Sequence, residues 1–110
     1  MAESKPDLLP GTLDMLVLKT MEAGARHGYA IAQALRTMSG DMLDVEQGSL
    51  YPALYRMERR GWIKPKWGIT ETKRRAKFYH LTRLGRRQLE REATSWDAFV
   101  EAVGRVMGKV

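Results

Sequence analysis

The fold of this chain is decided by one stretch of its 110 residues, Gln47-Gly48-Ser49-Leu50-Tyr51-Pro52-Ala53-Leu54-Tyr55-Arg56-Met57-Glu58-Arg59-Arg60-Gly61-Trp62-Ile63. The stretch predicts one short helix with a defined start and end. Gly48 and Ser49 supply a loop and an N-cap, since a serine oxygen accepts a hydrogen bond from an orphan backbone N–H. Pro52 is tolerated if it lies in the first turn, where its missing N–H has no partner. Gly61 is typical of the left-handed residue that follows a helix.

The two faces of this predicted helix differ in character. Its apolar face holds Leu50, Ala53, Leu54 and Met57 at helical spacing. Its outward face holds Tyr51, Tyr55, Arg56 and Arg59. A helix that is only solvated normally carries Lys and Glu outward. A helix in a DNA major groove needs arginines for base edges or phosphates, and tyrosines for hydroxyl bonds and flat contacts. The helix alone therefore fits either a basic surface helix or a DNA-reading helix.

A hairpin is predicted directly after this helix. Its strands are Trp62-Ile63-Lys64 and Ala76-Lys77-Phe78-Tyr79-His80-Leu81, joined by residues 68–75. Alternation places Tyr79 and Leu81 in the core and leaves Phe78 and His80 partly exposed. The tip carries the basic residues Lys73, Arg74, Arg75 and Lys77. Such a cluster can keep an edge hairpin unpaired, but beside a Tyr/Arg helix it favours a grip on phosphates or the minor groove. Helix and hairpin together have the layout of a winged helix.

Several motifs resemble the PadR family of bacterial transcriptional regulators. They are Gly48-Ser49-Leu50-Tyr51-Pro52-Ala53-Leu54, Gly61-Trp62-Ile63, Lys77-Phe78-Tyr79-His80-Leu81-Thr82 with Gly85, and His27-Gly28-Tyr29 before an alanine-containing helix. The resemblance covers the chain from Leu8 to Gly85. It implies a winged helix that binds duplex DNA, more often as a repressor than as an activator. The wing tip, Thr70-Glu71-Thr72, departs from the shorter, glycine-rich pattern usual in the family.

Composition limits the partner and the compartment. Lys and Arg number 19 against 13 Asp and Glu, a formal net charge of +6, which favours nucleic acid or an anionic membrane surface as partner. Cysteine is absent, so the sequence holds no disulfide framework, thiolate metal site or cysteine nucleophile. No apolar run is long enough to span a bilayer, and residues 1–7 do not resemble a signal peptide. We expect a cytoplasmic protein associated with the nucleoid.

The N-terminal part of the sequence predicts helices that form the scaffold of the domain. Residues 1–7 are expected to form an arm. A first helix has its apolar face at Leu9, Leu13, Leu16, Val17, Thr20 and Met21, starts near Pro10 and stops at Gly24. A second helix opens at His27-Gly28-Tyr29 and buries Ala30, Ile31, Ala34, Leu35 and Met38. His27 is interpreted as a capping or packing residue. Tyr29 could pack or reach a phosphate, and its position at a helix N-terminus favours the phosphate contact. Residues 42–45 are a candidate third strand.

A long last helix is predicted from Arg83 to Met107, capped by Thr82. Its apolar residues are spaced alternately by four and three, a heptad seam of Leu89, Ala93, Trp96, Val100, Val103 and Met107 flanked by Phe99 and Val106. At about 1.5 Å per residue the helix is roughly 37 Å long, which outreaches so small a domain. We expect a winged helix domain over residues 1–82 and a dimerisation helix over residues 83–110. The alternative is a helix that packs back on its own domain. The single short helix resembles the smaller PadR subfamily.

Trp96 lies in the middle of this seam. In a symmetric dimer the two indoles face each other across the axis. They form either a simple interface anchor or a slot for a planar, cationic aromatic effector, held by stacking and cation–π attraction. The resemblance gives the second outcome some support, because certain PadR-like regulators accept such compounds between their C-terminal helices.

Nothing in the sequence forms a catalytic constellation. His27 and His80 lie in different elements, with no carboxylate at triad-like or metal-binding spacing, so neither an enzyme, a cofactor nor a metal is expected. The sequence predicts an α+β, mainly α, homodimeric regulator that binds double-stranded DNA at a two-fold symmetric operator. The expected DNA contacts are Tyr29, Gln47, Ser49, Tyr51, Pro52, Tyr55, Arg56, Arg59, Lys73, Arg74, Arg75 and Lys77; the expected dimer contacts are Leu89, Ala93, Trp96, Phe99, Val100, Val103 and Met107. The alternatives are a non-specific nucleoid or RNA-binding winged helix and a protein–protein interaction module.

Overall fold

Four helices and a small antiparallel sheet make up the computed structural model, which describes residues 11–109. In chain order the elements are α1 (Thr12–Thr20), β1 (Arg26–His27), α2 (Gly28–Met38), α3 (Gln47–Arg59), β2 (Ile63–Ile69), β3 (Arg75–Leu81) and α4 (Arg83–Met107). The sheet order is β1-β3-β2. Three helices followed by a β2–β3 hairpin form a winged helix, and α4 is the long C-terminal helix. The predicted fold class is confirmed.

The core lies where the apolar face of α3 meets α1, α2 and the base of the hairpin. Leu50, Ala53, Leu54 and Met57 are all buried, as their helical spacing predicts. Around them pack Val17, Leu18, Met21, Ile31, Leu35, Val45, Ile63, Tyr79, Leu81 and Leu89. Burying these side chains on one face of α3 leaves its tyrosines and arginines on the opposite, outer face. The core therefore decides which face of α3 is presented to a partner.

The N-terminus of α3 differs from the prediction. The helix begins at Gln47, and Glu46, in extended conformation, is the N-cap. The backbone N–H groups of Ser49 and Leu50 both donate to the Glu46 carbonyl, at 3.0 and 2.9 Å. Ser49 therefore lies inside the first turn and the predicted serine cap is wrong. Pro52 lies in the helix interior beyond the first turn, because Gln47 and Gly48 extend the helix backwards. The prediction that Pro52 lies in the first turn is therefore also wrong.

The C-terminus of α3 agrees with the prediction. Gly61 has a left-handed backbone, with φ of 76°. Its N–H donates to the Glu58 carbonyl at 3.0 Å, and the N–H of Trp62 donates to the Met57 carbonyl at 3.0 Å. This pair of bonds is a Schellman motif, which satisfies the last carbonyls of a helix. Gly61 thus turns the chain directly into the hairpin.

The first helix is shorter than predicted. α1 ends at Thr20, and its Thr20 carbonyl accepts a hydrogen bond of 2.6 Å from Arg26 Nε. Gly24 closes the following turn by donating its N–H to the Met21 carbonyl, so it ends the turn rather than the helix. The expectations for Leu9, Pro10 and the arm over residues 1–7 lie outside the described residues.

α2 begins as predicted, but of the five residues predicted to be buried only Ile31, Ala34 and Leu35 are, and Ala30 is half-buried. His27 Nδ1 accepts a hydrogen bond of 3.3 Å from the N–H of Ala30, and the His27 ring meets the Phe78 ring edge-on at 5.2 Å. His27 is therefore both a cap and a packing residue, as predicted. Met38 is 60% exposed rather than buried, because the helix ends at this residue and its last turn extends past the core.

The third strand comes from a different segment than predicted. Arg26 and His27 form β1 and pair with Tyr79 and Phe78 of β3. Residues 42–45 are not a strand. They belong to an irregular connection in which the Ser39 hydroxyl accepts from the Leu43 N–H at 2.8 Å, and Val45 is buried in the core. The segment just before α2, Arg26 and His27, runs alongside the free edge of β3 and completes the sheet in place of residues 42–45.

The hairpin is longer than predicted. β2 runs from Ile63 to Ile69, so the turn is confined to residues 70–74. Within that turn the Thr70 hydroxyl accepts from the Arg74 N–H at 3.0 Å, and Lys73 takes a left-handed backbone. The ring of Phe78 lies so close to Gly68 that a side chain there would meet it at 2.9 Å. As predicted, Tyr79 and Leu81 are buried, whereas Phe78 is partly exposed and His80 exposed.

The long last helix has the predicted bounds and cap. Thr82 Oγ1 accepts a hydrogen bond of 3.0 Å from the Gly85 N–H. The first half of α4 packs against the rest of the chain, and Leu89 belongs to the core. The distal half leaves apolar side chains exposed, among them Phe99, Val100, Val103, Val106 and Met107. Residues 1–82 and 83–110 as separate domains stay a prediction.

Candidate nucleic-acid interface

The outer face of α3 presents aromatic and basic side chains together. Tyr51 and Tyr55 are 46% and 65% exposed. The guanidinium of Arg59 lies 5.7 Å from the centre of the Tyr55 ring, a cation–π distance. Gln47 and Ser49 are exposed in the first turn of the same helix. This face can offer hydroxyl, amide and guanidinium donors to a partner that enters from outside.

Arg56 occupies a different environment from Arg59. Its Nη2 lies 2.5 Å from Oδ1 of Asp14 in α1, and the Asp14 side chain is only 15% exposed. The pair ties α3 to α1 over a separation of 42 residues in sequence. Sequence reasoning grouped Arg56 with Arg59 because helical spacing places both on the outer face. It missed Asp14, since no local pattern links the two helices.

A groove of about 840 Å³ lies between the N-terminal half of α2, Tyr51 of α3 and the wing. The expected DNA contacts among its lining residues are Tyr29, Tyr51, Arg74, Arg75 and Lys77. Tyr29 is 59% exposed and stacks on the His27 ring at 6.5 Å. Of the remaining candidates, Gln47, Ser49, Pro52, Tyr55, Arg56 and Arg59 lie along α3, and Lys73 lies at the wing tip. The structure thus joins residues from three elements around one basic concavity.

Gly28 explains how two of these elements meet. A side chain at Gly28 would lie 2.6 Å from the phenol oxygen of Tyr51. Only a glycine therefore lets the Tyr51 ring rest against the first turn of α2. Burial raises the pKa of the Tyr79 phenol, and charge repulsion from Glu58 and then from Tyr51 raises it further. Gly28 of the His-Gly-Tyr motif thus provides the surface on which Tyr51 of α3 rests.

Trp67 is a member of the groove that sequence reasoning missed. Its indole is 55% exposed and lies beneath the guanidinium of Arg75, at 4.8 Å, and the ammonium of Lys77, at 5.9 Å. The sequence-based strand ended at Lys64, so Trp67 was assigned to no element. Trp67 lies directly opposite Lys77 in the β2–β3 register, and the sequence offered no local signal for that register.

A second concavity, of about 480 Å³, lies between the start of α1 and the middle of α4. It is lined by Gly11, Thr12, Met15, Glu92, Ser95, Trp96 and Phe99. The rings of Trp96 and Phe99 are tilted at 42° with centres 6.2 Å apart. Glu92 Oε2 is buried without a hydrogen-bond partner among the described residues. Burial, and then the nearby Asp14 carboxylate, raise the pKa of Glu92.

Within residues 11–109 no group of three or more His, Cys, Asp or Glu side chains could hold a metal ion. In the same range, every helix is too short or too polar to cross a membrane. What the described residues do form is a basic groove bounded by a wing and an outward-facing helix.

Comparison with known proteins decides the family. The model of the Transcriptional regulator PadR-like family matches residues 17–91, a range that includes α2, α3 and the whole wing. The chain belongs to the PadR-like family. It is a DNA-binding transcriptional regulator and not an enzyme, and the resemblance noted in the motifs is confirmed.

Solved structures support the same assignment for the fold. A transcriptional regulator from Clostridium thermocellum superposes with a TM-score of 0.79 at 25% identity, covering 86% of this PadR-like chain and 89% of the other. A PadR-like transcriptional regulator from Bacillus cereus gives 0.75 at 27% identity, covering 88% and 92%. A PadR family regulator from Eggerthella lenta gives 0.76 at 29% identity, covering 91% and 85%.

Two curated relatives match in sequence. Uncharacterized protein X of Lysinibacillus sphaericus is 24% identical over 103 residues, 94% of each chain. An uncharacterized 37.1 kDa protein in transposon TN4556 of Streptomyces fradiae is 44% identical over 81 residues. That match covers 74% of this chain but only 22% of the transposon protein.

Proposed function

We propose that this PadR-like regulator binds a two-fold symmetric operator as a homodimer and represses transcription from it. The observation that carries the proposal is the pairing of two features in one chain. A basic, tyrosine-bearing groove lies beside α3, and the distal half of α4 leaves a row of apolar side chains exposed. An exposed apolar seam at heptad spacing is what a second helix covers. The family resemblance supports repression rather than activation.

The dimer follows from the exposed seam of α4. Phe99, Val100 and Val103 are 55%, 48% and 40% exposed, and Met107 is 63% exposed in the last turn. With Ala93 and Trp96 they form the proposed interface, whereas Leu89 already packs in the core of its own chain. A second copy related by a two-fold axis covers the same residues on both helices. Two copies then present two wings and two α3 helices, which requires two operator half-sites.

Contact roles in the operator follow from where each side chain lies. We assign Gln47, Ser49, Tyr51, Tyr55 and Arg59 on α3 to the major groove, where helix side chains reach base edges. Arg56 and Pro52 lie on the same helix at its outer surface. Tyr29, Lys73, Arg74, Arg75 and Lys77 surround the groove and the wing tip, and we assign them to phosphates, which position a protein without specifying sequence.

Selection of bound fragments from genomic DNA at a stated salt concentration tests this function. A sequence-specific dimer enriches fragments that share an inverted repeat with a fixed half-site spacing. Light scattering on the free protein reports its mass, and a reporter gene behind the selected operator reports repression. Enrichment without any shared sequence would indicate the non-specific nucleic-acid-binding alternative. Absence of DNA binding at low salt would indicate a protein–protein interaction module.

We propose Trp96 as the anchor of the dimer interface, and the cavity within one chain that Trp96 lines between α1 and α4, in place of a slot between two facing indoles, as the candidate effector site. The cavity combines two aromatic rings with the carboxylate of Glu92, a chemistry that suits a planar organic cation. In a variant with Trp62 and Trp67 replaced by Phe, quenching of Trp96 fluorescence by ethidium, a planar aromatic cation, measures occupancy. If ethidium does not quench Trp96 fluorescence, the effector site is ruled out and only the role of Trp96 as interface anchor remains. An emission spectrum like that of exposed indole in the free protein contradicts both roles.

A further inference from the structure

On the wing, Trp67 and Tyr79 lie on one face of the hairpin and Phe78 lies on the other. In the β2–β3 register Gly68 lies opposite Ala76 and Trp67 opposite Lys77. Because strand side chains alternate between faces, Trp67 shares its face with Lys77 and Arg75, and Phe78 lies on the other. Phe78 covers Gly68 and meets the His27 ring at 5.2 Å. Phe78 and His27 thus form a cross-strand pair on one face of the sheet, and the opposite face, which carries Trp67, borders the groove together with α2 and Tyr51 of α3.

The Trp67 face is the one that lines the basic groove. Trp67, Arg75, Lys77 and Tyr51 all border it. The guanidinium of Arg75 lies 4.8 Å and the ammonium of Lys77 5.9 Å from the indole ring. Both distances are within the cation–π range of about 6 Å. The indole thus contacts two cations at the wall of the groove. Lys77 lies directly opposite Trp67 in the ladder, and Arg75 lies two residues earlier on the same face of β3.

Packing does not account for this indole. Trp67 is 55% exposed, and it is not among the residues that form or flank the core. A large apolar ring left at the surface of a basic hairpin has an unfavourable contact with water. Its face is covered instead by two cations, which without it are free to explore their many rotamers at an entropic cost on binding. The arrangement fits a partner whose charge is negative and fixed in space.

We propose that Trp67 is a positioning residue for DNA binding: its indole pre-orders Arg75 and Lys77 as a pair of phosphate-binding cations at the groove wall. The inference rests on the proposed function, since it assigns the phosphates of the operator as the partner of these cations. Trp67 acts through Arg75 and Lys77 and makes no base contact of its own. It therefore contributes affinity without sequence preference.

The experiment measures binding of the full-length protein to a labelled operator duplex by fluorescence anisotropy over a salt series. The variants are Trp67→Leu, Trp67→Phe, Arg75→Ala with Lys77→Ala, and the triple variant that combines Trp67→Leu with those two. Ile69→Ala is the matched control, because Ile69 lies on the same strand and face and is 65% exposed. Thermal unfolding of each variant confirms that it is folded.

Trp67→Leu is expected to weaken binding roughly 2- to 5-fold, the range that an exposed cation–π contact supports. The slope of log K against log salt should become shallower, by up to about 0.9 for each phosphate that the protein ceases to neutralise. Trp67→Phe, which keeps an aromatic face, should retain most of the affinity and the slope. Ile69→Ala should bind as wild type does. In the Arg75→Ala, Lys77→Ala background, Trp67→Leu should have no further effect.

Three results overturn the inference. A further drop in affinity from Trp67→Leu in the double-alanine background would show that the indole contacts DNA directly. Wild-type affinity and slope for Trp67→Leu, together with weakened binding by the Arg75→Ala, Lys77→Ala variant, would leave the wing as a phosphate grip and remove only the role of Trp67. Wild-type binding by the double-alanine variant itself would remove the wing from the proposed function and the positioning role with it.

Discussion

At the scale of single residues, Arg56 and Arg59 show how neighbours on one helix face acquire different roles. Arg59 lies over the Tyr55 ring at 5.7 Å, where it can turn towards a base edge. Arg56 is paired with the largely buried carboxylate of Asp14. Breaking a pair in which one partner is shielded from water leaves that charge without compensation. Arg56 therefore links α3 to α1, in addition to any contact it makes with DNA.

We predict that Arg59→Ala weakens operator binding and leaves the melting temperature unchanged. An arginine that reads a guanine contributes about 1–3 kcal/mol of discrimination. Arg56→Ala should weaken operator binding too, and should also lower the free energy of unfolding by about 1 kcal/mol, near the upper end for partly exposed ion pairs. Anisotropy titration and thermal unfolding of both variants test this. Arg105→Ala, at an exposed ion pair in α4, is the control. Wild-type operator affinity in both variants would contradict the assignment of α3 as recognition helix.

Gly85 is required by a close approach between α4 and the chain after α3. A side chain there would lie 2.0 Å from the carbonyl oxygen of Trp62, and that oxygen belongs to the backbone. We predict that Gly85→Ala lowers the free energy of unfolding by about 1–3 kcal/mol, the cost typical of overpacking. Gly48→Ala is the matched control, since nothing lies within 4 Å of its added carbon. It should leave stability unchanged or raise it by up to about 1 kcal/mol through helix propensity.

At the scale of elements, the contact between α1 and α4 brings together two carboxylates whose charges repel each other at neutral pH. Burial first, and the Asp14 carboxylate second, raise the pKa of Glu92, and a hydrogen bond from Gln88 and the charges of Arg60 and Arg91 offset this only in part. A carboxyl whose pKa is raised in the folded chain binds its proton more tightly there than in the unfolded chain. The protonated Glu92 carboxyl therefore stabilises the fold fully at pH values below its ordinary pKa of 4.5. This stabilisation is lost as the pH rises through the raised pKa.

We therefore predict that Glu92→Gln raises the melting temperature at neutral pH and that its advantage over wild type disappears below pH 4.5. Glutamine keeps the shape of the side chain and removes its charge. Thermal unfolding across this pH range measures the difference, and Glu90→Gln, on an exposed face of the same helix, is the control. A neutral or lower melting temperature for Glu92→Gln at neutral pH would show that the carboxylate is satisfied in the folded protein.

The wing is an element whose charges should act together and without regard to sequence. Lys73, Arg74, Arg75 and Lys77 lie on a hairpin better placed for phosphates than for base edges. We predict that Arg74→Gln lowers the slope of log K against log salt by about 0.9, on operator and non-operator DNA alike. Arg105→Gln, the same change of charge at the far end of α4, should leave the slope unmoved. An unchanged slope after neutralising all four wing residues would show that the hairpin is exposed to solvent and does not contact phosphates.

At the scale of the whole molecule, the proposed DNA-binding and dimer surfaces lie at separate places along the chain. The groove belongs to α2, α3 and the wing, whereas the exposed seam belongs to the distal half of α4. A dimer joined through α4 therefore leaves both grooves open to DNA. Binding two half-sites at once gains affinity from the high effective concentration of the second site. Operator affinity should thus depend on the dimer even though the seam does not touch DNA.

We predict that Val103→Asp converts the dimer to a monomer and weakens binding to the intact operator more than binding to a single half-site. A charge on each side of a two-fold seam meets its own copy, and two like charges in a desolvated interface repel strongly. Light scattering gives the mass and anisotropy the affinities. Ala98→Asp, an exposed position of the same helix outside the seam, is the control. A monomeric wild type would contradict the α4 interface.

The sequence by itself determined the kind of elements and the family. Helical spacing in α3 predicted its buried face and its outer Tyr/Arg face, because a periodicity of 3.6 residues is a local property of the chain. The helix caps at Gly61, His27 and Thr82 could be predicted for the same reason, because the donor and acceptor of each capping hydrogen bond lie within a few residues of each other. Charge and motifs indicated DNA as the partner. Where local rules competed, as at Ser49 and Pro52, the sequence could not say which of two adjacent turns would begin the helix.

Tertiary structure decided whatever joins segments distant in sequence. The third strand is Arg26–His27 rather than residues 42–45, because the edge of β3 that needs a partner lies beside the approach to α2. Arg56 pairs with Asp14 across 42 residues, and Tyr51 rests on Gly28. Trp67 joins Arg75 and Lys77 only once the register of β2 and β3 is known. None of these contacts follows from periodicity, since each depends on how whole elements pack around the shared core.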